Sequence, residues 1–130
     1  MLVNPELVQP SQDFLKPQTV GFIFDCLKNG HEDLLPPTPI VRSDNKGDLV
    51  AIDGHNLLAV YAFLRQELNV HVAASPEDGL PETTDQNKQR NNDLRAKYDI
   101  CLAERSSVQK EGIMSFQDLI RSNNKLFEGR

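Results

Sequence analysis

Residues 49–64 read LVAIDGHNLLAVYAFL, and their interpretation decides the fold. Leu49 to Ile52 form a short apolar run of strand type. From Leu57, apolar residues recur at Val60, Tyr61, Leu64 and Leu68, the spacing of one helical face, and Leu58 and Ala62 widen that face. The two runs predict a strand that turns directly into a helix buried on more than one side. Between them lie Asp53, Gly54, His55 and Asn56. A polar tetrad wedged at a strand–helix junction is the first candidate site in the chain.

Upstream, IVRS and DLVAI flank Asp44-Asn45-Lys46-Gly47, so residues 38–43 and 48–52 are expected to pair as a hairpin with a longer turn. The proline-rich stretch HEDLLPPTP before it reads as a loop. Further back, Val20, Ile23, Phe24 and Leu27 mark a helix that starts at Pro17 and stops at Gly30. Pro5 and Pro10 keep the N-terminal segment out of a helix, leaving a short extended stretch and a turn.

Downstream, NVHVAAS reads as a third strand, with Val70 and Val72 on one face and His71 on the other. After a polar loop, residues 84–111 predict one long helix with a narrow apolar stripe of Leu94, Tyr98, Cys101 and Leu102, ended by Gly112. A last short helix follows, with Ser115 as its cap and Asp118 three residues on, a variant of the capping box.

The chain has 130 residues, 38% of them hydrophobic and 25% charged. That fits one globular domain, read as a core over residues 1–80 and a helical C-terminal extension over 81–130. Its net charge of −5 argues against binding nucleic acid over the whole surface, although a local basic groove stays open. No apolar run reaches the ~20 residues of a membrane span, and the N-terminus lacks the features of a signal peptide. Cys26 and Cys101 are too few for a disulfide framework. They fit apolar positions in a cytoplasmic protein, with a single bridge between them left open.

The order of helix, loop, hairpin, IDGH, helix and strand resembles the core of the ParB-like nuclease superfamily, which also includes sulfiredoxin. The resemblance rests on Pro39-Ile40-Val41, Ile52-Asp53-Gly54-His55 and Leu58-Ala59, and it covers roughly residues 5–75. It implies an α/β (α+β) domain with a ParB/sulfiredoxin-like fold, a small mixed sheet flanked by helices. It also implies a nucleotide or nucleic-acid phosphate bound at Gly54, His55 and Asn56, with Asp53 and His55 as acid–base residues. Helix N-termini suit such anions because their first N–H groups have no intrahelical acceptor. Two positions that are commonly His and Arg in that family are Asn56 and Leu57 here. The phosphate-binding arginine is therefore missing, with Arg42 and Arg65 as the nearest replacements. His55 stands where sulfiredoxin has its reactive cysteine, which excludes that chemistry.

Each residue also has a plainer reading. Asp53 reads foremost as the N-cap of the second helix, Gly54 as a turn glycine, and His55 as an exposed histidine at a helix start. The spacing of His31, His55 and His71 gives no metal pattern, and the sequence names no cofactor. Lys88, Arg90, Arg95 and Lys97 read foremost as a solvated helical face, with nucleic-acid contact as the weaker alternative. Three functions remain: a phosphate-binding module, a nuclease or nucleotide hydrolase, and a structural or interaction protein that kept the fold and lost the site. In the last, the C-terminal helices would mediate self-association into a homo-oligomer.

Overall fold

The computed structural model describes residues 1–130. The hairpin forms where the sequence places it, with β3 at Ile40–Ser43 and β4 at Leu49–Asp53. Asp44 shapes its turn. Oδ1 of Asp44 accepts the N–H groups of Lys46 and Asp48 at 2.8 and 2.9 Å, and Gly47 takes the left-handed conformation (φ 88°) that closes the turn. The short strands β1 (Leu2–Val3) and β2 (Val8–Gln9) are separated by a 3-10 turn capped by Asn4. Strand β2 runs parallel to β4.

The expected third strand is two. Strand β5 (Leu68–Asn69) pairs antiparallel with β1, and β6 (His71–Val72) runs parallel to β3. Between them Val70 is buried and donates its N–H to Met1. The main sheet thus has the order β2-β4-β3-β6 and is mixed. The chain is an α+β protein with five α-helices and two small sheets.

Alternation along the hairpin separates two cores. Val41 and Ala51 face a cluster of 21 buried residues built with α1 (Pro17–Lys28), α2 (His55–Leu64) and α5 (Phe116–Ser122). Ile40, Val50 and Ile52 face a smaller cluster closed by Leu94 of α3 (Asp85–Lys97) and Cys101 of α4 (Ile100–Lys110). Helix α2 is buried nearly all round, because β4 feeds it straight into the larger core. The capping box of α5 is complete, with Ser115 and Asp118 each bonding the other's backbone N–H.

The helix expected over residues 84–111 is broken. Helix α3 stops at Lys97 and α4 starts at Ile100. Arg42 causes the break: its guanidinium lies over the Tyr98 ring, 3.9 Å from the centroid, and donates to the Tyr98 carbonyl at 2.8 Å. That carbonyl is drawn out of the helical ladder, and Leu102 N–H bonds the Asp99 carbonyl instead. The C-terminal third is also part of the main core. Val108, Ile113, Phe116, Leu119, Ile120 and Phe127 all lie in the larger cluster. Both cysteines are buried and free. No helix is long and apolar enough to cross a membrane.

Candidate functional site

Strand β4 ends at Asp53 and α2 starts at His55, so the tetrad does form a strand-to-helix turn. Gly54 occupies the cap position with φ 96°, a conformation open to glycine at little cost. A Cβ there would lie 2.6 Å from the Pro39 Cβ and 2.8 Å from its Cα. Glycine is required by the approach of Pro39, a residue of this chain.

Asp53 is not the helix cap, which corrects the expectation from sequence: the cap position is Gly54, and no side chain bonds the first N–H groups there. The Asp53 carboxylate faces α3, where Oδ2 accepts from Arg90 Nε at 2.9 Å. The same guanidinium donates through Nη2 to the Thr38 carbonyl. Arg90 is only 7% exposed. The basic run on α3 is therefore divided: Lys88, Arg95 and Lys97 are exposed, whereas Arg90 is buried and bound.

His55 is not an exposed histidine. It is 4% exposed and sits beside the Phe116 ring. Its Nε2 accepts the backbone N–H of Ser11 at 3.0 Å, so that nitrogen carries no proton and the ring is the Nδ1–H tautomer. The Ser11 hydroxyl donates to the Ala51 carbonyl at 2.7 Å, which locks the segment after β2 onto the sheet. Burial pushes the His55 pKa down to about 3, partly opposed by the Asp53 carboxylate and assisted by Lys97. A base with that pKa is fully deprotonated at neutral pH but weakly basic, and its available nitrogen already has a donor.

Asn56 points away from the turn. Its Oδ1 accepts the N–H of Lys16 at 2.8 Å and so fixes the start of α1. Leu57, where the resemblance leads one to expect an arginine, is 6% exposed in the larger core. Arg42 is committed to Tyr98 in the smaller core, and Arg65 ends α2 in an ion pair with Glu6 at 3.6 Å, so neither reaches the turn.

The turn thus brings together Asp53, Gly54 and His55 with three partners that the sequence reading missed: Ser11, Pro39 and Arg90. Arg90 had a legible signal. The apolar stripe of Leu94, Tyr98 and Cys101, extended back one helical turn, lands on Arg90 and Asn91. Ser11 had none, since its contact with His55 spans forty-four residues of sequence.

A second polar cluster lies at the hairpin turn. Arg105 of α4 donates through Nη1 to Asp44 Oδ2 at 2.6 Å and to Gln9 Oε1 at 2.9 Å. The Arg105 contact and the two backbone N–H groups hold the Asp44 pKa down to about 2. Asn45, Lys46, Asp48 and Gln109 line a surface cleft above this pair. Its formal charges sum to zero, Lys46 and Arg105 against Asp44 and Asp48, and the Arg105–Asp44 pair is a tie between hairpin and helix. A scan against protein-family models and searches of curated proteins and of solved structures found no match for this chain.

Proposed function

We propose that this chain is a structural or interaction domain of ParB-like type, in which the turn at Asp53-Gly54-His55 holds the fold together and performs no acid–base chemistry. One observation carries this reading. The ring nitrogen of His55, the atom that would act as base or ligand, accepts the Ser11 N–H in a site closed to solvent. Asn56 and Gly54 support it, since one accepts the N–H of Lys16 just before α1 and the other admits Pro39. The test is a titration of inorganic phosphate and of a nucleoside monophosphate, followed by backbone amide shifts. The expected result is no saturable shift at residues 53–57 at millimolar ligand. A saturable shift confined to those residues would overturn the proposal.

A second reading is favoured by a specific contact. Arg90 delivers a guanidinium to the turn from α3, so the site has an arginine by another route. In that reading the first N–H groups of α2 and Arg90 together bind the phosphate of a nucleotide or of a nucleic acid. Arg90 is already bonded to Asp53 and Thr38, which places this reading second. The same titration separates the two.

A further inference from the structure

The segment between β6 and α4 is tied at both ends and bonded chiefly to itself. At its start, His71 of β6 lies with Nε2 2.6 Å from the Asp78 carbonyl oxygen, and Asp78 Oδ2 accepts the Ala74 N–H at 2.8 Å. At its far end, Arg42 of β3 holds the Tyr98 ring and carbonyl, and the Tyr98 hydroxyl donates to the Ala74 carbonyl at 3.1 Å. The two ends therefore meet on the neighbouring strands β3 and β6.

Between those ties the segment staples itself. Asn91 Oδ1 accepts the Leu80 N–H and its Nδ2 donates to the Leu80 carbonyl, both at 2.8 Å. Asn87 Nδ2 donates to the Pro81 carbonyl at 2.8 Å. The staple requires a glycine at position 79, where a Cβ would lie 2.2 Å from Asn91 Oδ1. Gln89 bonds Asp93, and Arg95 bonds Asn92, within the same helix. Among the side-chain bonds of residues 80–97, only those of Arg90 leave the segment, to Asp53 and Thr38.

Apolar attachment is equally sparse. Leu94 is the only buried apolar side chain of α3, and half-buried Leu80 packs on the same small cluster. Helix α2, by contrast, buries Leu57, Leu58, Ala59, Val60 and Ala62 in the larger core. An element joined to the body by little apolar area opens at lower free energy than the whole fold.

We propose that residues 80–97 are a self-stapled strap, latched to the sheet by Arg90 on Asp53, that opens as a unit about Asp78 and Tyr98 while the rest of the fold stays closed. Opening frees the Asp53 carboxylate and takes Leu80 and Leu94 away from the small cluster that they share with Ile40, Val50, Ile52, Ala73 and Cys101. The opening holds whichever reading of the turn is correct.

The test is amide hydrogen exchange by NMR on the full chain, in water and in low denaturant. A detached helix of 13 residues is marginal in water, so its own hydrogen bonds fray once the strap has left the sheet. In the wild type, the amides of residues 89–97 are therefore expected to exchange through one shared opening, at least tenfold more populated than the opening that exchanges α2 and α5. That opening should show a shallow denaturant slope, since it exposes little surface. Arg90→Ala should speed exchange of the same amides tenfold or more, the factor that corresponds to about 1.4 kcal/mol, and leave α2 and α5 unchanged. One rate and one slope shared by α2, α3 and α5 in the wild type would overturn the proposal. So would an Arg90→Ala variant in which every helix exchanges faster by the same factor. Should that variant not fold, the wild-type measurement alone decides.

Discussion

The turn at residues 53–56 and the strap at residues 80–97 are both polar stretches beside the same strand end, and they are built in opposite ways. In the turn each polar group reaches a distant element. His55 holds Ser11, Asn56 holds Lys16, and Asp53 holds Arg90. In the strap the polar groups hold one another, through Asn91 with Leu80, Asn87 with Pro81 and Gln89 with Asp93. Bonds that join distant parts of a chain resist local opening, because breaking them separates whole elements. Bonds within a segment need not break for that segment to leave the body. The span of its bonds, more than its content of polar residues, decides whether a polar stretch is a clasp or a moving part.

The strongest way to break this comparison is to put a charge into the clasp. Leu57 is 6% exposed and belongs to the larger core. In Leu57→Arg, a guanidinium would be buried there without a partner, at a cost of roughly 3–5 kcal/mol or more. That is a large share of the stability of a domain of this size. The variant is expected to be unfolded or to melt far below the wild type, as read by circular dichroism. A stable variant that binds phosphate tightly would show that the turn is a malleable ligand site, and the contrast with the strap would fail.

Acid sharpens the comparison by a smaller amount. The folded His55 ring stays neutral down to about pH 3, whereas a histidine in the unfolded chain takes its proton near 6.5. Between those values the unfolded state binds more protons, so stability falls as the pH drops below about 6.5. Each unit contributes up to about 1.4 kcal/mol, so moving from neutral pH to about 4.5 should cost about 2–3 kcal/mol. His55→Gln keeps an acceptor for the Ser11 N–H and removes the titration, and its stability should stay flatter over that range. Denaturant melts at several pH values check this. Equal slopes in the two proteins would mean that His55 is not held neutral. Asp44 acts in a lower window: its contribution is complete above about pH 4 and is lost as the pH falls toward about 2.

The elements legible in the sequence are those that local rules determine. The hairpin, α1, the start of α2 and the capping box of α5 each follow from periodicity or cap residues within one short window. The helical stripe ran too far, because α2 ends at Leu64 and Leu68 lies in β5. The mixed character of the sheet also emerged as expected. Illegible were the features set by contacts across the chain. The break at Tyr98 depends on Arg42, and the split third strand depends on Met1 and Leu2 finding Asn69 and Val70. The surroundings of the turn are set in the same manner. Residues 53–56 look like a site because a strand–helix junction so often presents polar groups to a ligand. What those groups face was decided by Ser11 and Arg90, which no local pattern links to the tetrad, and by Pro39, which the hairpin brings beside Gly54. The resemblance to the ParB-like superfamily stands as a proposal, supported by the order of hairpin, turn and helix.

The smallest effect concerns Asn56, and it isolates a single bond of the clasp. Its Oδ1 accepts the N–H of Lys16, the residue that precedes the proline opening α1. The bond is exposed, so water replaces part of it when the side chain is cut back. Asn56→Ala is expected to lose ~0.5–1.5 kcal/mol of hydrogen bonding, reduced by the better helix propensity of alanine in the first turn of α2. Asn56→Asp provides the control. It retains an acceptor oxygen for Lys16 and adds a negative charge at the N-terminal end of α2, which favours it by ~0.3–1 kcal/mol. The aspartate variant should therefore be as stable as the wild type or slightly more so, and the alanine variant less stable. Urea denaturation of the three proteins checks the order. If aspartate destabilises as much as alanine, the acceptor bond is not what Asn56 contributes, and the clasp then rests on His55 and Asp53 alone.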